Sequence, residues 1–460
     1  MSAGLAELRS RFGDAQVLDG ADALPYERDW RGQFPGRCAG VLLPRSVAEL
    51  QDMLRASAAH GARLVPQGGN TGLVGGSTPD ASGQEWVLSL KRLNRIRQLD
   101  AQDLVVRAEA GCVLAQLQAR AAAEGCLFPL SLASEGSCTL GGILATNAGG
   151  TQVLAYGNAR ELCLGLEVVL PDGSLLVDMD GLRKDHRGLN LRDLFIGSEG
   201  CLGIISAAVM KLVRAPRSRL AAWLNVACFA DLAALLQRAR EELGDALSGF
   251  EVMNAEVQQL LGADAPLPVA PWAVLLELSS SMVEARTRER LEAWLQAHHA
   301  LCPDALIGHS GAQFERLWAL RESIPERQTR AGGNLKHDIS LPLAQMEDFL
   351  ATVLPTLQGL VPGLRPQVFG HLGDGNLHFN LAPPPGMALT ELRECHGEAL
   401  TRRVFDGVAS HGGSFSAEHG IGRLRRDELA RSLDPARLEW MRRIKALFDP
   451  EGRLNPGRVL

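Results

Sequence analysis

SEGSCTLGGILATNAGG, residues 134–150, decides the fold. Five of its seventeen residues are glycine. Glycine admits positive φ and lets the backbone approach a ligand closely. Successive N–H groups in such a loop form a nest for phosphate-type oxygens. Two more stretches share this character: PQGGNTGLVGGS at 66–77 and IGSEGCLGII at 196–205. None of the three fits GxGxxG or GxxxxGK[ST], so neither the Rossmann nor the P-loop route is supported. One such loop alone would read as a tight turn. Three, each beside an apolar strand-like run, read as a cradle for a dinucleotide. The candidate cradle residues are Pro66, Gln67, Gly68, Gly69, Asn70, Thr71, Gly72 and Ser77 in the first loop. The second supplies Gly136, Ser137, Thr139, Gly141, Gly142, Thr146, Asn147 and Gly149. Glu199, Gly203 and Ile205 follow in the third, and Asn455 near the C-terminus.

Around these loops, short apolar runs alternate with helical patterns. GVLLP (40–44), RLVPQ (63–67), WVLSL (86–90) and LVVRAEAG (104–111) read as strands. SVAELQDMLRASAAHG (46–61) and VLAQLQARAAAEG (113–125) read as helices. LGLEVVLPDGSLLV at 164–177 is a hairpin turning at Pro171-Asp172-Gly173. The glycine-dense pattern stops at APRSR, 215–219. Beyond it, strands such as PWAVLLELS (271–279) mix with helices such as SMVEARTRERLEAWLQAHHA (281–300). The class is α+β, with a cofactor domain over 1–215, a substrate domain over 216–410 and a segment 411–460 returning to the first.

A chain of 460 residues exceeds the size of a single core, so two domains or more are expected. Net charge is −6, which gives no electrostatic footprint for nucleic acid or an anionic membrane. Nine cysteines are scattered without a CxxC pair, which excludes an iron–sulfur cluster or structural zinc and reads as reduced thiols in a cytoplasmic setting. MSAGLAELRSRF has an amphipathic helical pattern and no apolar signal region. Leu220–Leu236 is the most apolar stretch, but Asn225 and Asp231 interrupt it, so no transmembrane helix is expected. Arginine outnumbers lysine 42 to 5, which makes each lysine informative, Lys336 above all.

The three glycine segments, together with LFDPEGRLNPGR at 447–458, resemble the FAD-binding domain of the vanillyl-alcohol oxidase / PCMH-type flavoproteins. Within that superfamily the chain resembles the D-2-hydroxy acid dehydrogenase branch, from about Trp30 to the C-terminus. The resemblance implies a PCMH-type FAD-binding domain of two subdomains and an α+β cap domain with an antiparallel sheet. Members that attach FAD covalently usually carry a His in the first loop. Here that loop is GGNTG, which implies non-covalent FAD. Cys138 and Cys201 lie in glycine-rich loops, where small-residue packing is the expected role.

VFGHLGDGNLHFN, 368–380, carries the second chemistry. Asp374-Gly375 signals a two-residue hairpin turn. Counting outward sets His371 directly opposite His378, with facing Cβ atoms roughly 4.5–5.5 Å apart. Two imidazoles at that spacing can share a divalent ion. Two histidines alone would as readily be a packed, backbone-bonded pair. SAEHGIGR at 416–423 adds an acidic residue and a third histidine in a loop that Gly420 and Gly422 can bend, and this turns the reading toward a metal. The family resemblance implies His371, His378 and Glu418 as ligands of a divalent metal, zinc for preference, and His419 as the catalytic base that also meets the substrate.

The substrate needs fixed cations. The resemblance assigns Arg321 and Lys336 to a distal carboxylate in the hydroxyglutarate enzymes. Those enzymes have a hydroxyl residue four positions after the arginine, where this chain has Pro325, so D-2-hydroxyglutarate, D-lactate and related acids all stay open. Asn380 shares a face with His378 in the hairpin count and is the candidate for the C1 carboxylate. His337 reads as a structural histidine.

The expected reaction follows from these parts. The metal polarises the α-hydroxyl, His419 takes its proton, and the α-hydrogen passes as hydride to flavin N5. Without a cysteine cluster or a second nucleotide motif, electrons leave to a separate acceptor, an electron-transfer flavoprotein or a quinone. A homodimer stays open. Two rivals are a flavin subunit of a glycolate-oxidising complex and a redox-neutral alkyl-transferase on the same fold. The histidine hairpin and the Glu418-His419 pair argue against the second.

Overall fold

The computed structural model describes residues 3–460. The chain divides into two compact units. One comprises the chain up to Gly149, then Gly157–Ala215 and Glu418–Leu460; the other comprises Gly150–Tyr156 and Pro216–Ala417. Two boundaries differ from the sequence reading. Residues 411–417 belong to the second unit because Ser414 bridges Ser340 and the Ala417 N–H donates to the Asp338 carbonyl. The short helix Val153–Tyr156 leaves the first unit to pack on a strand of the second, with Leu154 against Gly373.

The first unit holds β1 (Val17–Leu18), β2 (Gly40–Leu42), β3 (Arg63–Gln67), β4 (Glu85–Ser89), β5 (Ile96–Asp100), β6 (Val105–Glu109), β7 (Cys126–Leu127), β8 (Cys163–Val169), β9 (Leu175–Asp178), β10 (Ile204–Lys211) and β11 (Val213–Arg214). A four-stranded sheet runs β1-β2-β4-β3, and a five-stranded sheet runs β5-β6-β10-β8-β9. Pro66 fits β3 because β3 is an edge strand, where a missing N–H breaks no ladder. Helix Val47–Ala58 begins where Ser46 Oγ accepts from the Glu49 N–H at 3.1 Å. Its buried residues Leu50, Met53, Leu54 and Ser57 recur at helical spacing and face the core beside the first sheet. The hairpin read at 164–177 is β8–β9, with Gly173 at φ +79 in its turn.

The second unit is built on one antiparallel sheet of seven strands, order β15-β12-β14-β13-β17-β18-β16. These are β12 (Ser218–Val226), β13 (Leu247–Asn254), β14 (Trp272–Ser280), β15 (Asp304–Ile307), β16 (Asp338–Ser340), β17 (Arg365–His371) and β18 (Asn376–Ala382). Alternate residues serve opposite faces, the period of a strand. Leu220, Ala222, Leu224 and Val226 enter a large core with Val368, Leu377 and Phe379. Ala221 and Trp223 face a smaller one with Met253, Phe314, Trp318 and Phe369. The apolar stretch from Leu220 is therefore a strand buried on both faces, followed by helix Phe229–Leu243. Among the described residues no helix is long and apolar enough to cross a membrane.

The hairpin register differs from the count made on Asp374-Gly375. His378 pairs with Phe369, not with His371, and His371 pairs with Glu251 on β13. Leu372–Asp374 form a short 3-10 turn and Gly375 follows in the left-handed region at φ +85, so the loop is longer than two residues. A shift of two residues keeps every side chain on its face. His371 and His378 thus remain on one face as diagonal neighbours.

Candidate functional site

The glycine segments meet in the first unit, around a cavity of about 630 Å³. That volume lies in the range of small-ligand and cofactor sites. Pro66, Gln67, Gly68, Gly69, Asn70, Thr71, Gly72 and Ser77 line it, with Ser137, Thr139, Gly141, Gly142, Thr146, Gly149, Glu199, Gly203 and Ile205. Trp30, Ser134 and Ala110 also line it and were not foreseen. Glu418 and His419 complete the wall.

The loops leave this space open because their glycines pack backbone against backbone. A Cβ at Gly69 would lie 2.1 Å from the Ser137 carbonyl oxygen, and one at Gly68 would lie 2.4 Å from Thr139 Oγ1. Asn70, Asn147, Glu199 and Asn455 all have positive φ, between 45° and 56°. Asparagine tolerates that region; for glutamate it is strained, and such strain clusters at functional sites. Thr139 Oγ1 is buried on the cavity wall without a protein hydrogen bond. An orphaned hydroxyl among close-packed glycine loops fits a polar ligand that supplies its partner.

Several side chains named from the sequence hold the loops to one another. Gln67 Nε2 donates to the carbonyls of Tyr26 and Ser77. Ser77 Oγ donates to Asn70 Oδ1 at 3.1 Å, and Thr146 Oγ1 turns back to the Gly142 carbonyl at 3.0 Å. Gly136, Asn147 and Asn455 do not line this cavity. Gly136 is exposed, Asn147 Oδ1 accepts from the Arg160 N–H, and Asn455 Nδ2 donates to the carbonyls of Gly76 and Glu199. Cys138 and Cys201 are buried, and burial pushes both thiols up, Cys201 to about 12. That suits packing.

Glu199, on the cavity wall, also holds a neighbouring segment. Its carboxylate accepts from the Ile421 N–H at 2.7 Å and the Gly422 N–H at 2.9 Å. Burial pushes it above the usual carboxylate range, and these two donors oppose the shift. Gly422 sits at φ +51 with no room for a Cβ, which would lie 2.4 Å from the Val74 carbonyl oxygen. The N–H groups of Arg423 and Leu424 donate to that same oxygen. Glu199 and the first glycine loop therefore clamp the segment that carries Glu418 and His419.

In the second unit His371 and His378 stand with ring centroids 5.5 Å apart in an edge-on arrangement. His371 Nδ1 lies 2.7 Å from Glu251 Oε1, and His378 Nδ1 lies 3.5 Å from Asp338 Oδ1. Both carboxylates are buried. Each imidazole thus has an acidic partner on Nδ1, the arrangement by which ligating histidines are oriented. Burial lowers the His378 pKa, against the raising effect of Asp338, and so favours the neutral ring that a metal needs. Neither carboxylate was foreseen. The available signal was a charge on an otherwise apolar strand, in SGFEVMN and HDISLP.

Three substrate residues are placed less simply. Arg321 is only 6 % exposed and forms a buried ion pair with Glu251 at 2.8 Å, so it is a compensated cation. Lys336 is exposed, just before β16. Asn380 is buried with both ends of its amide on protein: Nδ2 donates to Gln328 Oε1 and Oδ1 accepts from the His337 N–H, each at 3.2 Å. Pro325 lies in the first turn of helix Ile324–Arg330. His337 is structural, with Nδ1 3.0 Å from the Phe379 carbonyl oxygen and Nε2 3.1 Å from Thr401 Oγ1.

Comparison with known proteins agrees with this architecture. Residues 38–178 match the family described as FAD binding domain, and residues 215–459 match the C-terminal domain of FAD linked oxidases. The chain is 38% identical to the mitochondrial D-2-hydroxyglutarate dehydrogenase of Bos taurus, covering 99% of this chain and 83% of that one. It is 35% identical to the D-2-hydroxyglutarate dehydrogenase of Stutzerimonas stutzeri, covering 98% of both. It is 32% identical to a D-2-hydroxyglutarate–pyruvate transhydrogenase of Saccharomyces cerevisiae, covering 100% and 94%. Among solved structures, p-cresol methylhydroxylase with substrate bound shares the fold at a TM-score of 0.77 and 16% identity, covering 99% of this chain and 96% of that one. An alkyldihydroxyacetonephosphate synthase does so at 0.72 and 18%, covering 98% and 84%. With a glycine cradle that fits FAD and relatives of one activity along its whole length, the chain belongs to the FAD-linked oxidases, in the branch of FAD-dependent D-2-hydroxy acid dehydrogenases.

Proposed function

We propose that the chain oxidises D-2-hydroxyglutarate to 2-oxoglutarate, with FAD held non-covalently and a divalent metal, zinc for preference, on His371, His378 and Glu418. Similarity to dehydrogenases of that substrate over almost the whole chain carries the reading. The buried carboxylates on Nδ1 of both histidines support the metal. When bound, FAD supplies the two-electron acceptor and the metal the Lewis acidity that lowers the hydroxyl pKa. The chain does the rest. His419 takes the C2 hydroxyl proton, from a loop that Glu199 holds. Lys336 answers the distal carboxylate, and Arg321 contributes charge from its ion pair. The electrons leave to an electron-transfer flavoprotein or a quinone. A reducing compartment such as the cytoplasm suits nine cysteines that form no disulfide.

Two measurements test this. Anaerobic addition of D-2-hydroxyglutarate should bleach the flavin, while the L-enantiomer should leave it oxidised. D-lactate should reduce it more slowly. Pro325, which offers no hydroxyl near the distal carboxylate, favours the shorter acid instead, and a faster reaction with D-lactate would replace the proposed substrate by it. Acid precipitation should release yellow, intact FAD into the supernatant, because no histidine stands in the GGNTG loop. Colour held in the pellet would refute non-covalent binding.

A further inference from the structure

Glu251 is a carboxylate on the strand SGFEVMN, at 1% exposure. Burying a charge there is unfavourable unless it is paired and hydrogen-bonded. It is paired on both oxygens. Oε1 lies 2.7 Å from His371 Nδ1, while Oε2 accepts from Arg321 Nε at 2.9 Å and forms an ion pair with Nη2 at 2.8 Å. The Arg321 guanidinium is held over the Phe369 ring, 4.8 Å from its centroid. Paired at Oε2 with the Arg321 guanidinium, which is always charged, the carboxyl is held in its ionised form. An ionised carboxylate only accepts. His371 Nδ1 must then carry the proton, and in the neutral ring Nε2 keeps its lone pair.

We propose that Glu251 is a positioning residue which, itself oriented by Arg321, holds His371 as the Nδ1–H tautomer and so makes Nε2 the metal-binding atom. This rests on the reading that His371 and His378 hold a divalent metal. It also places Arg321 in the surroundings of the metal, apart from any dealing with substrate charge. Donors and acceptors make the idea specific. Glutamine at 251 would keep the shape but offer one oxygen and one NH₂. Arg321 only donates, so it takes the oxygen. The NH₂ then faces His371 Nδ1, which must accept, and the ring proton moves to Nε2, where it blocks ligation. Removing the Arg321 guanidinium as well lifts that demand. The amide can turn its oxygen to Nδ1, and the ligating tautomer returns.

The test uses FAD-loaded enzyme, stripped of metal and dialysed against buffered free Zn²⁺, with bound zinc read by elemental analysis. Wild type should bind one equivalent. Glu251→Gln should bind zinc about 10–100-fold more weakly, the range seen when a ligating histidine loses its outer partner. Glu251→Gln/Arg321→Met should regain most of that affinity. A role confined to packing gives the opposite order, since taking a second group out of a buried network deepens the loss. Wild-type affinity in Glu251→Gln, or a double variant weaker than the single one, overturns the inference and leaves the metal standing. A wild type that takes up no zinc, or a His378→Ala variant that binds it as tightly, overturns the metal and the inference together. Should Glu251→Gln fail to accumulate with flavin, nitrogen NMR of isotope-labelled histidines in metal-free wild type reads the tautomer directly. Nδ1–H on His371 is expected there, and Nε2–H would overturn the proposal.

Discussion

Replacing His419 by alanine is expected to slow flavin reduction by D-2-hydroxyglutarate about 10²–10⁴-fold, the usual contribution of a positioned base. FAD content should stay at the wild-type level, because His419 is one contact of a cavity lined by three glycine loops. The metal should stay as well, since His419 is not proposed as a ligand. The defect should therefore appear in the first half-reaction alone. In rapid-mixing experiments the variant's flavin, reduced chemically, should pass electrons to an artificial dye at the normal rate. Glu199 enters here indirectly. It fixes the N–H groups of Ile421 and Gly422, so the loop keeps its course when the imidazole is removed. A His419→Ala enzyme that reduces its flavin within threefold of the wild-type rate would remove the base from the mechanism.

What the sequence disclosed depended on how local each physical demand was. The glycine loops were legible because the demand falls on the glycines themselves. At Gly69 and Gly422 a Cβ would press into backbone oxygen, and no side chain can relieve that. The strands and helices around them were legible through periodicity, as in Val47–Ala58 with its Ser46 cap. Register was not. Asp374-Gly375 suggested a two-residue turn, but the chain spends Leu372–Asp374 on a 3-10 turn and His371 joins Glu251 on a third strand. The shared face survived because the slip was even. Long-range partners were hidden altogether. Glu251 lies 120 residues before His371, and Glu199 lies 222 before Ile421, with nothing in either stretch to announce the other. The same holds for Asn455, whose amide ties Gly76 to Glu199.

Removing the proposed metal should have the other large effect, and it separates this mechanism from flavin oxidation without Lewis-acid help. A bound cation contributes several kcal/mol of charge stabilisation in the transition state. At about 1.4 kcal/mol per factor of ten, its loss should lower turnover at least ~10²-fold. Flavin should remain in place, because the three glycine loops line most of the cavity and neither His371 nor His378 lies on its wall; Glu418 is the one proposed ligand there. Zn²⁺, Mn²⁺ or Co²⁺ should restore activity to different degrees, as expected of a mixed nitrogen and oxygen donor set. His378→Ala should imitate chelation and resist rescue by added metal, because one of the three proposed protein ligands is then gone for good. It should also differ from His419→Ala in kind, losing bound metal as well as rate. His378 suits this role physically. It is held near Asp338, and burial lowers its pKa, which favours the neutral ring that ligation needs. Enzyme shown metal-free by elemental analysis and still turning over at the full rate would end the metal assignment. His371 and His378 would then be hydrogen-bonding partners of Glu251 and Asp338, and His419 would act on a hydroxyl of ordinary acidity.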